Sequence, residues 1–279
     1  MRIMRTNKLR RLAFLLPLAI VLLLPGESPA APLVLAVIGD YGTGAGNAIA
    51  VANRVHSWNP DAVLTTGDNN YPDGKAATIN KNITIPYGRY ITNDLSTNRF
   101  WPSLGNHDYH VTNATPYINY FTLPGNERYY DVDYGNVRLW AMDSERMTAA
   151  QTAWIETGLE ASAACFDIVY FHHPPYSSGK HGSSSKMQLP FDAWGADVVL
   201  SGHDHLYERL NVNGMAYFVN GAGGKALYSF RNISPFSVIR FNQTYGAMKI
   251  VVEGGHLTAQ FITAAGTVID TYALDKDCP

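Results

Sequence analysis

Leu33-Val34-Leu35-Ala36-Val37-Ile38-Gly39-Asp40-Tyr41-Gly42 is an apolar run that gives way, at a glycine, to a carboxylate and a second glycine. A continuous apolar run of this length suits a strand buried on both faces. Four more segments repeat the arrangement. Asp61–Gly67 leads into Gly67-Asp68-Asn69-Asn70-Tyr71, and Arg99–Leu104 leads into Gly105-Asn106-His107-Asp108. Phe166–Phe171 ends at His172, and Asp197–Leu200 ends at Gly202-His203-Asp204-His205. Each puts polar side chains where a strand runs out, which is where open α/β sheets place their ligands.

Working outward, Asn47–Trp58 carries Ile49, Ala52 and Val55 at helical spacing. Tyr71 to Asn98 reads as a long loop with some helix. Tyr129–Asp133 and Val137–Met142 read as a hairpin. Thr148 and Gln151 have the spacing of a capping box that opens a helix to about Ala163, with Trp154, Ile155 and Leu159 on its apolar face. Asn213-Gly214, between Leu206–Val212 and Met215–Asn220, is the strongest hairpin signal in the chain. Ala247–Glu253, Leu257–Thr263 and Val268–Tyr272 alternate apolar and polar residues as antiparallel strands do. The first half alternates strand and helix and the second half is mostly strands. Two packed mixed sheets with helices outside satisfy both.

Residues 1–30 have the pattern of a secretory signal: Arg2, Arg5, Lys8, Arg10 and Arg11, then apolar Leu12 to Leu24, then Ser28-Pro29-Ala30. The apolar stretch is short for a membrane span, and an uncleaved signal anchor is the alternative. We expect a single catalytic domain over residues 31–279 and a secreted or periplasmic location. Five of the 21 basic residues and one of the 23 acidic ones lie in residues 1–30. The remainder holds 16 basic against 22 acidic residues, a formal charge of −6, which argues against a partner that is nucleic acid or an anionic membrane. After cleavage no stable membrane insertion is expected. The two cysteines, Cys165 and Cys278, are either bridged or left as buried thiols. Four Asn-x-Ser/Thr triplets, at Asn82, Asn113, Asn232 and Asn242, carry no functional weight by themselves.

Two cations held close together need a shared anion between them, further oxygen and nitrogen donors, and an open position for water. Asp40, Asp68, Tyr71, Asn106, His172, His203 and His205 supply such a set. Any one of the motifs arises by chance; the ordered set does not. It resembles the purple acid phosphatases within the calcineurin-like metallophosphoesterases. That superfamily usually has a histidine two residues after the first aspartate, where this chain has Gly42. Tyr71, three residues after the second aspartate, stands where this family carries its metal-bound tyrosine. Gly202-His203-Asp204-His205-Leu206-Tyr207-Glu208-Arg209 is similar to the family's last motif.

The resemblance implies an α/β (α+β) fold, a four-layer αββα sandwich of two mixed sheets flanked by helices. It implies a ferric ion on Asp40, Tyr71 and His205, a divalent ion (iron, zinc or manganese) on Asn106, His172 and His203, and Asp68 between them. It implies that His107, His181 and Asn106 meet the substrate. Small phosphomonoesters would then be hydrolysed by a metal-bound hydroxide, with His107 or His181 assisting the leaving group. A phosphodiesterase of the same superfamily would reuse the constellation, and a non-catalytic metal- or phosphate-binding protein is the rival of another class. Asp108 either orients His107 or accepts backbone hydrogen bonds, and Glu208 is equally open. His56, His110, His173 and His256 match no metal position, and His173 is expected to point away from its neighbour His172 along an extended strand.

Overall fold

The computed structural model describes residues 31–278, so the signal-like segment 1–30 lies outside the described residues. Among the described residues, thirteen strands form two sheets. The first contains β1 (Leu33–Ile38), β2 (Ala62–Thr65), β3 (Phe100–Pro102), β11 (Gly246–Glu253), β12 (His256–Thr263) and β13 (Val268–Asp275), in the order β13-β12-β11-β1-β2-β3. The second contains β4 (Tyr130–Tyr134), β5 (Val137–Ala141), β6 (Phe166–Tyr170), β7 (Val198–Ser201), β8 (Tyr207–Val212), β9 (Met215–Asn220) and β10 (Ser237–Phe241), in the order β10-β8-β9-β7-β6-β5-β4. Both are mixed. β1, β2 and β3 are mutually parallel, as are β5, β6, β7 and β9.

Side-chain alternation divides the layers. Ile168 and Tyr170 of β6 join Leu35, Val37 and Met248 in the core between the sheets. Their neighbours Val169 and Phe171 instead pack outward with Val199, Tyr217, Ile155 and Leu159. Ile155 and Leu159 belong to α2 (Ala149–Glu160), which covers the second sheet. α1 (Gly46–Ser57) buries Ala48, Val51, Ala52 and Val55 and packs against β11 of the first sheet. The buried face of α1 is thus rotated from the expected one, and Ile49 is only half-buried. This is the four-layer αββα arrangement that the resemblance implied.

The local signals hold, with some differences. Asn213 and Gly214 both have positive φ, at 54° and 96°, as a type I′ turn between β8 and β9 requires. Thr148 accepts from the Gln151 backbone N–H at 3.1 Å. The reciprocal half of the capping box is missing: the Gln151 side chain bonds the backbone of Asp143 instead. Trp154 is half-buried and sits edge-on to Trp140, 5.6 Å between ring centroids. Short helical turns occupy residues 76–90 of the long loop. β10, a short edge strand with no strong apolar signal, was not anticipated.

Cys165 and Cys278 are joined in a disulfide with Cα atoms 5.2 Å apart, which settles the open alternative. It ties the entry to β6 to the chain end beyond β13 across 113 residues. Closing a loop of that length stabilises the fold by about 4–5 kcal/mol in the chain-entropy account. The Cys165→Ser/Cys278→Ser protein should therefore unfold at clearly lower denaturant than the oxidised parent, and reduction of the parent should reproduce the shift. Coincident denaturation curves would show that the bridge contributes nothing.

Candidate metal centre

All seven proposed donors come together where the parallel strands of both sheets end. Asp40 follows β1, Asp68 follows β2, Asn106 follows β3, His172 follows β6, and His203 and His205 follow β7. Three of them sit in the left-handed backbone region, Asp40 and Asp68 at φ 54° and His203 at φ 67°. Such conformations are uncommon for residues with a Cβ and cluster at functional sites. They turn the chain sharply off the strand and aim the side chain across the gap between the sheets. Gly105 is required by proximity: a Cβ there would lie 2.3 Å from the Asp68 carboxylate oxygen.

The donors form two groups that meet at Asp68. In the first, Tyr71 Oη lies 3.0 Å from Asp40 Oδ1 and 3.2 Å from His205 Nε2, and His205 Nε2 lies 3.4 Å from Asp40 Oδ1. In the second, His172 Nε2 lies 3.0 Å from Asn106 Oδ1 and 3.1 Å from His203 Nδ1. Asp68 turns one oxygen to each group: Oδ2 accepts from Tyr71 Oη at 2.7 Å and Oδ1 lies 3.5 Å from His172 Nε2.

The donor chemistry fits a pair of cations. His172 Nδ1 donates to the Thr66 carbonyl at 2.8 Å, and His205 Nδ1 donates to the Ala226 carbonyl at 2.8 Å. In the neutral rings both Nε2 lone pairs then face other acceptors, the Asn106 and Asp68 oxygens for His172 and Asp40 for His205. Backbone carbonyls that fix the tautomer in this way are the usual outer support of a metal-binding imidazole. Burial drives His172 well below the ordinary imidazole range, with His173 adding to the effect, and holds His203 low as well. Both are therefore neutral donors. At His205 burial lowers the value, but the hydrogen bond and attraction of Asp40 outweigh it and the net shift is upward. Burial lifts Asp40 to about 6.

Gly42 explains the departure from the superfamily pattern. A Cβ on it would fall 2.0 Å from the Asn69 carbonyl oxygen, so no side chain fits. Its own carbonyl accepts from Tyr71 N at 2.7 Å. The Asn69 carbonyl thus excludes a histidine at 42, while the Gly42 carbonyl helps place Tyr71. Asn82 helps hold this loop, donating to Tyr71 O at 2.7 Å and to Asn70 Oδ1 at 2.8 Å. The Asn82 side chain is buried and committed, so that triplet is structural.

Around the donors stand His107 and His181. His107 donates its backbone N–H to Asp68 Oδ1 at 2.9 Å, and its Nε2 lies 3.9 Å from Asp68 Oδ2. The His181 ring is exposed and stands 4.2 Å from the His203 ring. Asp204, between the two histidines of its motif, holds this side of the site: it accepts from His181 N at 2.8 Å, Gly182 N at 3.2 Å and Ser177 Oγ at 2.6 Å. Glu208, in β8, does the same, accepting from Ser178 N at 2.7 Å. Asp108 takes backbone bonds from Gly105 and Asn69 and does not orient His107.

His173 overturns its expectation. β6 ends at Tyr170, so strand alternation no longer governs residues 172 and 173. The His173 ring lies 4.5 Å from that of His203 and so borders the site. Three neighbours escaped the sequence reading because only the fold brings them near. Tyr228 stacks on His205 at 4.0 Å, Lys225 stands over Tyr71 at 4.5 Å, and Lys180 stands over Tyr228 at 4.6 Å.

Residues 33–207 match the calcineurin-like phosphoesterase family. Purple acid phosphatase 4 of Arabidopsis thaliana is 23% identical over 89% of this chain and 85% of its own length. The Fe(3+)-Zn(2+) purple acid phosphatase 12 of the same plant is 25% identical over 76% of this chain and 50% of its own. Among solved structures, purple acid phosphatase PPD1 from yellow lupin (Lupinus luteus) superimposes with a TM-score of 0.74 at 20% identity, over 88% of this chain and 54% of that one. That likeness speaks for the fold.

Asp68 faces both donor groups, so its loss should affect both. Asp68→Ala should bind fewer than one metal per chain by elemental analysis. Asp40→Asn should retain the ion at the His172 side. Two metals per chain in Asp68→Ala would remove Asp68 from its shared position.

Proposed function

Because the chain belongs to the calcineurin-like phosphoesterase family, we propose that it is an acid phosphatase of the purple type, hydrolysing small phosphomonoesters at a dinuclear centre. The observation that carries the reading is Asp68, with one oxygen toward the Tyr71 group and the other toward the His172 group. We assign a ferric ion to Asp40, Tyr71 and His205 and a divalent ion, iron, zinc or manganese, to Asn106, His172 and His203. The family relative named for Fe(3+) and Zn(2+) supports that choice. Residues 31–279 form the catalytic domain in this reading. The signal-like segment and the disulfide support an exported setting, since such bridges persist outside the reducing cytosol.

When bound, such ions polarise phosphoryl oxygens and acidify water. The chain's own residues do the rest. His107, fixed by its backbone bond to Asp68 and by a 2.5 Å contact of Nδ1 with the Pro72 carbonyl, offers its ring to the phosphoryl oxygens. His181, on the loop pinned by Asp204, supplies a proton to the departing alkoxide. Lys225 and Lys180 bring positive charge to a site that attracts a phosphate dianion. Tyr71 is the group that a ferric ion would mark. Burial and the adjacent Asp40 and Asp68 hold its phenol well above the ordinary value of about 10, so only a strongly acidifying cation in place of the proton makes it a phenolate.

The oxidised protein should therefore absorb visible light, and Tyr71→Phe should lose the band while keeping its circular dichroism. A colourless, iron-free protein with full activity would replace the ferric assignment by a pair of divalent ions.

The pH dependence follows from His181. Partial desolvation lowers its value below 6.5, Lys180, His205 and His173 push the same way, and Asp204 opposes them. Its acid form is present below that lowered value and is lost as pH rises through it. The rate on alkyl esters should thus decline on the alkaline side from below pH 6.5. His181→Ala should slow alkyl esters by roughly 10²–10⁴-fold and nitrophenyl phosphate much less, because nitrophenolate leaves without a proton. Equal losses on both esters would reduce His181 to phosphate positioning. Faster turnover of bis-nitrophenyl phosphate than of the monoester would make the protein a diesterase.

A further inference from the structure

Beside the donor cluster the surface opens into a polar cavity of about 350 Å³. Its walls are Ser144, Glu145, His173, the Ser183-Ser184-Ser185 run and Lys186. His173 is shared between the two spaces: one side of its ring stands 4.5 Å from the ring of His203 and it also lines the cavity. Ser144 Oγ accepts from the backbone N–H of His173 at 2.9 Å and of His172 at 3.2 Å, so the same hydroxyl fixes a metal donor and the cavity wall. Glu145 Oε2 lies 3.5 Å from His173 Nε2. From this continuity we propose that the cavity is the leaving-group subsite, and that it selects esters of neutral polyhydroxylated alcohols such as monosaccharide or polyol phosphates. The inference rests on the phosphatase reading and deepens it.

The chemistry of the walls decides the class. Every side chain that lines the cavity carries a hydrogen-bonding group. An alkyl or aromatic leaving group there would strip water from serine hydroxyls and charged heads without replacing the bonds. A polyol replaces each displaced water with a hydroxyl that both donates and accepts. The charges argue against a second anionic group. Glu145 and Lys186 both line it and their charges offset, so the cavity carries no excess of positive charge for it. No tyrosine, tryptophan or phenylalanine lines it, so a nucleobase finds no stacking partner. The volume is in the range of small-ligand sites, which start at about 300 Å³.

The test compares kcat/KM for glucose 6-phosphate, butyl phosphate and nitrophenyl phosphate in the parent enzyme, Glu145→Ala and Lys186→Met. The parent should prefer the sugar ester to the butyl ester. A hydrogen bond to a charged wall residue corresponds to roughly tenfold or more. Each variant should therefore lose about that factor on glucose 6-phosphate, chiefly in KM, while nitrophenyl and butyl phosphate stay within about twofold. A parent that prefers butyl phosphate, or variants that lose the same factor on all three esters, overturns the subsite and leaves the phosphatase intact. A metal-loaded parent that hydrolyses none of the three overturns both.

Discussion

Asp40 and Asp68, two buried carboxylates, share one pocket with three imidazoles, a phenol and an amide oxygen. Hydrogen bonds from the ring Nδ1–H groups of His172 and His205 to backbone carbonyls turn the Nε2 lone pairs inward, toward oxygens that are also acceptors. Like poles facing like poles in a dry interior are costly unless cations stand between them. That arrangement is the constraint on which the rest of the structure depends. It explains why residues with side chains accept left-handed backbone at Asp40, Asp68 and His203, and why Gly105 has room only for a hydrogen. The stability of two sheets locked through a common core holds these strained strand exits in place.

The architecture distributes the work between the sheets. The carboxylates and Tyr71 hang from the first sheet, and four histidines, His172, His173, His203 and His205, from the second. Neither sheet holds a complete set of donors. Binding of metal therefore couples to the packing of one sheet on the other, and apo protein should be the looser form. The outer ring, Asp204 with its three donors and Glu208 with the Ser178 turn, secures the loop that carries His181.

Much of this was legible in the sequence because strands buried on both faces are continuous apolar runs, and their ends are marked by Gly-Asp, Gly-Asn and Gly-His pairs. The Asn213-Gly214 turn was legible for the same local reason. What escaped was set by tertiary contact. His173 borders the site because β6 stops at Tyr170, one residue before the end of the apolar run, and strand alternation no longer applies beyond it. The side chain of Gln151 left its cap for the backbone of Asp143. Lys225 and Tyr228 reach the donors only through the chain's return after β9, Lys180 meets Tyr228 from the loop after β6, and no local pattern announces them. β10 is short and lies at an edge, where half its residues face water and no apolar run is needed. The pairing of Cys165 with Cys278 depends on where the chain end lies against β6, which two isolated cysteines do not reveal.

The account stands or falls on two ions in one pocket. Anomalous diffraction from crystals of the metal-loaded protein, recorded at the iron and zinc edges, locates them directly. Two anomalous peaks per chain are expected, one against Asp40, Tyr71 and His205, the other against Asn106, His172 and His203, with Asp68 reaching both. A single peak, or peaks away from Asp68, would contradict the dinuclear centre.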